Sequence, residues 1–219
     1  MLPPARNAFD AERIRKHGAT PVFLIRHGQT LWNKERRFLG RSDIPLNDLG
    51  HQQAVNLSRA LAEVPFTHVY SSPLTRAKQT AEAITQSRGM VPIVSPGLTE
   101  LNQGELEGMH GTLLPERYPD FYKNWQIDPT HVRIPGGETL AECHQRSTKA
   151  LFSLLASHTA ADCIAIVSHK VAISSILCDV MGLPPRFNMM VEQANTAINL
   201  LRCGADGVSI VRLNDHDHV

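Results

Sequence analysis

Two short apolar runs constrain this chain more than any other feature. Val22-Phe23-Leu24-Ile25 and Ile164-Ala165-Ile166-Val167 are too short for a buried helix and show no polar alternation. Runs of that kind are strands covered on both faces, as in a parallel sheet. Segments with helical spacing lie between them. Leu57, Leu61 and Val64 fall at i, i+4 and i+7, one face of a helix. Ser72 as N-cap and Pro73 as first helical residue predict a helix reaching to about Arg88. Residues 138–158 read as a long helix, and 171–181 as a helix stopped by Gly182 and two prolines. Further strands are expected over 67–71, 91–94, 196–203 and 208–213. Strand alternating with helix predicts an α/β fold, a mostly parallel central sheet with helices on both faces.

With 219 residues, 42% of them apolar, the chain can bury a core that needs no disulfide or metal. Its 22 basic and 21 acidic residues give a net charge of +1. That balance excludes gripping nucleic acid or an anionic membrane by bulk charge, so neither partner is expected. The cysteines, Cys143, Cys163, Cys178 and Cys203, form no CxxC pair, which argues against a zinc or dithiol site and for a reducing compartment. No apolar run approaches the ~18 residues of a membrane span. The first 20 residues lack the apolar stretch of a signal peptide, and a cytoplasmic location is expected. Residues 1–19 read as an N-terminal extension, either frayed or a docked helix ended by Gly18. Residues 20–213 read as the domain, and 214–219 as a disordered tail. The loop-rich stretch 97–137, with one helix near 116–125, is long enough to be a lid insertion.

Ligands of open α/β sheets bind beyond the carboxyl ends of the strands. Those ends carry Arg26-His27-Gly28, Ser71-Ser72-Pro73 followed by Arg76, a loop with Glu100, and Ser168-His169. Two guanidiniums suit a phosphoryl group, and a helix starting at Pro73 would add N–H donors. A neutral imidazole is a competent nucleophile, a second imidazole can steady oxygens if protonated, and a carboxylic acid can protonate a leaving alkoxide. Side chains then supply the positive charge, so no metal and no cofactor are expected, and the expected partner is a small phosphorylated metabolite.

From Arg26-His27-Gly28-Gln29-Thr30 onward the chain resembles the histidine phosphatase superfamily, also called phosphoglycerate-mutase-like. The likeness continues through Leu31-Trp32-Asn33, Gly40, Asp43-Ile44-Pro45-Leu46 and Ser71-Ser72-Pro73-Leu74 with Arg76-Ala77. It resumes at Glu100 with Gly104 and Glu107-Gly108, at Pro135-Gly136-Gly137-Glu138-Thr139, and at Val167-Ser168-His169. The resemblance implies that His27 is the nucleophile and that Arg26, Arg76 and His169 form the phosphate pocket. It implies Asn33 as a pocket residue, Glu100 as proton donor ahead of Glu105 and Glu107, and Gln29, Leu39 and Gly40 on the substrate side. Asn33 as a mere turn former and Glu100 as a mere loop carboxylate are the plainer alternatives. Lys170 departs from the glycine that the family usually carries after the second histidine; it either narrows the pocket, reaches a second anionic group, or is simply solvated.

Other phosphatase chemistries lack their motifs. No cysteine has an arginine six residues on, the only D-x-D is Asp215-His216-Asp217, and no phosphate-binding P-loop occurs. The expected function is a metal-independent phosphatase working through phosphohistidine. A mutase is the alternative, weakened because the resemblance implies that the family's phosphoglycerate mutases carry a basic residue after this glutamate and a later Arg-Arg pair, whereas residues 98–104 here hold no basic residue and 101–137 no such pair. A non-catalytic phosphate-binding module is a third reading. Substrate identity and oligomeric state stay open at this point.

Overall fold

The computed structural model describes residues 6–219; residues 1–5 of the expected extension lie outside them. The elements run α1 (Arg6–Lys16), β1 (Thr20–Arg26), α2 (Leu31–Lys34), α3 (Asp48–Ala60), β2 (His68–Ser71), α4 (Thr75–Thr85) and β3 (Ile93–Val94). After these come α5 (Leu114–Arg117), α6 (Pro119–Ile127), α7 (Leu140–Leu155), β4 (Ile164–Ser168), α8 (Lys170–Val180), β5 (Ile198–Gly204) and β6 (Gly207–Asp215). The six strands are ordered β3-β2-β4-β1-β5-β6. β1, β2, β3 and β4 pair in parallel, while β5 and β6 are antiparallel additions.

Alternation along the buried strands sends side chains to two layers. Phe23, Ile25, Ala165 and Val167 pack with Leu57, Ala77, Ala81 and Ile84 of α3 and α4. Val22, Leu24, Ile164 and Ile166 pack on the opposite face with Leu151, Ile173, Ile176 and Leu177 of α7 and α8. Each of the larger side chains, from valine upward, contributes roughly 1.5–3 kcal/mol by leaving water. Local capping sets where the helices begin. Asn47 accepts from Gly50 N at the start of α3, and Thr139 and Glu142 form a reciprocal capping box on α7.

Three local expectations change and one open alternative is settled. α4 begins at Thr75, because Asp43 accepts from both Thr75 N and its hydroxyl, at 2.6 and 2.8 Å; Ser72 is not its N-cap. α1 is docked: Ala11 and Ile14 enter the core, and Asp10 and Asn7 pair with Arg212 of β6. The chain end expected as a tail continues β6 to Asp215, and His218 Nε2 lies 3.3 Å from Thr196 Oγ1. Finally, the stretch 97–137 has its own core. Leu101, Leu106, Leu114 and Ile134 pack on Leu140, Cys143 and Val171, and backbone bonds tie Phe38 N to Met109 O and Glu105 N to Pro135 O.

Candidate active site

Strand register brings the two histidines together. β1 and β4 pair Arg26 with Ser168, so the next residues, His27 and His169, emerge side by side with ring centroids 5.1 Å apart. The β2–β4 register aligns Ser71 with Val167, which sets Ser72 level with Ser168, one residue before His169. The Ser72 hydroxyl is 2.7 Å from His169 Nε2. If that hydroxyl donates, the proton of His169 sits on Nδ1.

His27 is 3% exposed, and its Nδ1–H donates to Gly28 O at 2.7 Å. That bond fixes the tautomer and leaves the lone pair on Nε2. Its backbone is clamped as well: His27 N donates to Ser168 O, and Thr196 N and Asn195 Nδ2 donate to His27 O. Burial, then Arg76, then Arg26 hold His27 well below the usual histidine range. His169 is lowered well below that range too, by burial first and then by Arg76, His27 and Arg26. Both imidazoles are therefore neutral at pH 7, and a protonated His169 is not the resting form.

Arg76 is 0% exposed; its Nη1 and Nη2 donate to Ser42 O and Gly40 O at 2.7 and 2.8 Å. Gly40 can offer that carbonyl because it sits at φ +49, where a side chain would also overlap the Glu107 carboxylate. Leu39 is buried beside it. Arg26 Nη1 donates to Gln193 O at 2.6 Å. Burial lowers both guanidiniums to about 10, with Glu100 the leading charge opposing the shift. Arg26 Nε, Arg76 Nε and His169 Nδ1 are all buried without a hydrogen-bond partner among the described residues. Three unpartnered nitrogens near the neutral His27 imidazole are suited to a tetrahedral oxyanion.

Glu100 is 7% exposed and faces this group from the start of α8. Its Oε1 accepts from Leu101 N and Ala172 N, and Oε2 accepts from Val171 N, at 2.9–3.2 Å. The helix N-terminus at the site is thus that of α8, holding a carboxylate, while that of α4 is taken by Asp43. Arg146 fixes the Glu100 backbone by donating to Thr99 O and Glu100 O, and is itself paired with Glu138. Glu107 accepts from Arg41 N, Gln103 N and the Ser42 hydroxyl, and Glu105 accepts from the Tyr118 hydroxyl.

The remaining expected residues are loop-builders in part. Asn33 Oδ1 accepts from Thr30 N, closing the cap of α2. Gln29 Oε1 accepts from Asn47 Nδ2. Lys170 is the first residue of α8, half-buried and without an ion pair among the described residues. Ser72, read from the sequence only as a helix N-cap, and Gln193 and Asn195 are site neighbours that the sequence does not single out as such. Ser72 alone left a signal, its place beside a strand end.

The site makes stability depend on pH in a defined direction. An unfolded histidine takes a proton near 6.5, whereas folded His27 and His169 do not until well below that. The unfolded chain then binds more protons, so unfolding free energy falls as pH drops below 6.5, by up to about 1.4 kcal/mol per pH unit for each histidine. Urea titrations from pH 7 to 4.5 should show this slope, reduced in His169→Asn; an unchanged slope would mean that His169 is not held neutral.

The geometry agrees with what the chain resembles. A sequence model described as the histidine phosphatase superfamily (branch 1) matches residues 22–216. The probable phosphoglycerate mutase GpmB of Escherichia fergusonii is 35% identical over 81% of this chain and 82% of its own. The alpha-ribazole phosphatase of Shigella flexneri superposes with a TM-score of 0.82 at 27% identity, covering 90% of this chain and 96% of that one. A mycobacterial glucosyl-3-phosphoglycerate phosphatase, solved with VO3, gives 0.79 at 26% identity over 89% and 98%.

Proposed function

The chain belongs to the histidine phosphatase superfamily, and from that premise we propose that it hydrolyses a phosphomonoester through a phosphohistidine formed on His27. The observation that carries this is the locked tautomer, His27 Nδ1–H on Gly28 O, with unpartnered Arg26 Nε, Arg76 Nε and His169 Nδ1 around the same ring. His27 Nε2 attacks phosphorus as the bond to the ester oxygen breaks. Glu100 donates the proton that the departing alkoxide takes up. Water then attacks the phosphohistidine, Glu100 takes its proton, and phosphate and free His27 result. The arginines and His169 hold the non-bridging oxygens throughout, stabilising charge where it gathers. Gln29, Asn33, Leu39, Gly40 and Lys170 stand on the substrate side, with Lys170 the candidate for a second anionic group.

A mutase is the second reading, favoured by the name its GpmB relatives carry. It needs the phosphoryl group to return to a hydroxyl of the same molecule, and the absence of paired basic residues over 101–137 weighs against holding such an intermediate in place. Phosphate release should therefore exceed interconversion of 2- and 3-phosphoglycerate.

The direct test is hydrolysis of an aryl phosphate in excess EDTA. Activity should be retained, since the catalytic charge comes from side chains, and orthovanadate should inhibit it. Activity lost to EDTA and restored by a divalent ion would sink this reading.

A further inference from the structure

At the sheet edge opposite the arginines, three metal-type ligands meet outside the chemistry described above. His68 opens β2, Asp162 precedes β4, and His158 lies in the turn after α7. β2 and β4 run parallel with His68 opposite Ile164, so both strands start here and end at the phosphate site. One donor atom from each of the three residues lies within 4.8 Å of the others. His68 Nδ1 is 3.6 Å from Asp162 Oδ1, and His158 Nδ1 is 3.4 Å from Asp162 Oδ2. The imidazole centroids are 4.4 Å apart. Donors bound tetrahedrally at ~2.0–2.1 Å stand about 3.4 Å from one another. Each imidazole nitrogen is already near that edge length from one oxygen of Asp162, His68 from Oδ1 and His158 from Oδ2.

The surroundings supply most of what a ligand set requires, and His68 Nδ1, now 3.0 Å from the Thr67 hydroxyl, exchanges that contact for the ion. The His158 side chain is 4% exposed, and its Nδ1 is buried with no hydrogen-bond partner among the described residues. Its other nitrogen, Nε2, is 2.8 Å from the Tyr70 hydroxyl. With Nε2–H donating to that oxygen, Nδ1 keeps its lone pair, the second-group orientation typical of ligating imidazoles. Asp162 is held by Thr159 N on Oδ2 at 2.9 Å and by the Thr67 hydroxyl on Oδ1 at 3.0 Å. His68, 38% exposed, leaves a way in from solvent.

We propose that His68, His158 and Asp162 bind one Zn²⁺ ion through both Nδ1 atoms and the carboxylate, with water as fourth ligand. Two imidazoles and one carboxylate suit zinc, whereas Mg²⁺ and Ca²⁺ take oxygen ligands. The ion staples the start of β2 to the α7–β4 turn, so its effect is on stability and not on phosphate chemistry. The full chain, freed of metal by chelation, is titrated with ZnCl₂ by calorimetry and by thermal melting. One ion per chain is expected, with Tm raised by about 5–10 °C at zinc a hundredfold above Kd. His68→Gln, at a partly exposed position, should weaken binding by at least about 100-fold and abolish the Tm rise. His216 and His218 could also take zinc, so a His216→Ala/His218→Ala variant must keep both effects. Binding that survives in His68→Gln, disappears only in the tail variant, or is absent from the unaltered chain would overturn the site.

Discussion

Replacing His27 with alanine is expected to remove turnover and the covalent intermediate together. Rapid mixing with ³²P-labelled substrate and quenching should leave acid-labile, base-stable label on the unaltered protein, as phosphohistidine behaves, and none on His27→Ala. Turnover should fall by about 10⁴-fold or more, the scale of deleting a nucleophile while the binding groups remain. The pocket itself should persist. Arg76 is positioned by Ser42 O and Gly40 O, and Arg26 by Gln193 O, none of which involves the His27 ring. Inorganic phosphate should thus still inhibit or bind within a few-fold of its original affinity, which separates lost chemistry from lost folding. The imidazole leaves Gly28 O without its side-chain donor, so His27→Asn serves as a second variant where alanine proves unstable. Label appearing on either variant would place the nucleophile elsewhere, and His169 would be the residue to examine.

What the sequence disclosed depended on how local the cause was. Val22–Ile25 and Ile164–Val167 announced the central strands because burial on both faces leaves no room for polar residues. The sheet-end rule then located Arg26, His27, Arg76 and His169 without any tertiary information. The start of α4 was misread because Ser72-Pro73 is a sound local signal, while the actual cap, Asp43, comes from 32 residues earlier. Ser72 turned out to matter through His169, a contact created by strand register. The same limit applies to Gln193, whose carbonyl reaches Arg26 across 167 residues of sequence. The docked α1 escaped a firm reading because its anchors, Arg212 and the core around Ile14, lie at the far end of the chain and across the sheet. The stretch 97–137 looked irregular for a different reason. Its apolar residues are spaced for a small separate core rather than for one long helix.

Glu100→Gln is expected to split substrates by leaving group. Proton donation matters most for an alkoxide and least for a phenolate that departs unaided, and it is typically worth about 10²–10⁴-fold. Alkyl phosphates should slow within that range, while phosphohistidine formation from aryl phosphates stays near its original rate. Hydrolysis of that phosphohistidine should slow, since the amide cannot take a proton from water, so aryl substrates should give a burst of phenolate and then a slow steady state. A melting temperature alone cannot decide between acid and scaffold here. The carboxylate accepts from Leu101 N, Ala172 N and Val171 N, and the amide of glutamine would set an N–H against one of those donors, costing about 1–3 kcal/mol. Stability should fall whichever role is correct. The leaving-group contrast is independent of that loss, because a misplaced loop slows both substrate classes alike and produces no burst. Equal slowing without a burst would reduce Glu100 to a cap on α8. The same contrast appearing in Glu107→Gln instead would move the proton to the neighbouring carboxylate that holds Arg41 N and the Ser42 hydroxyl.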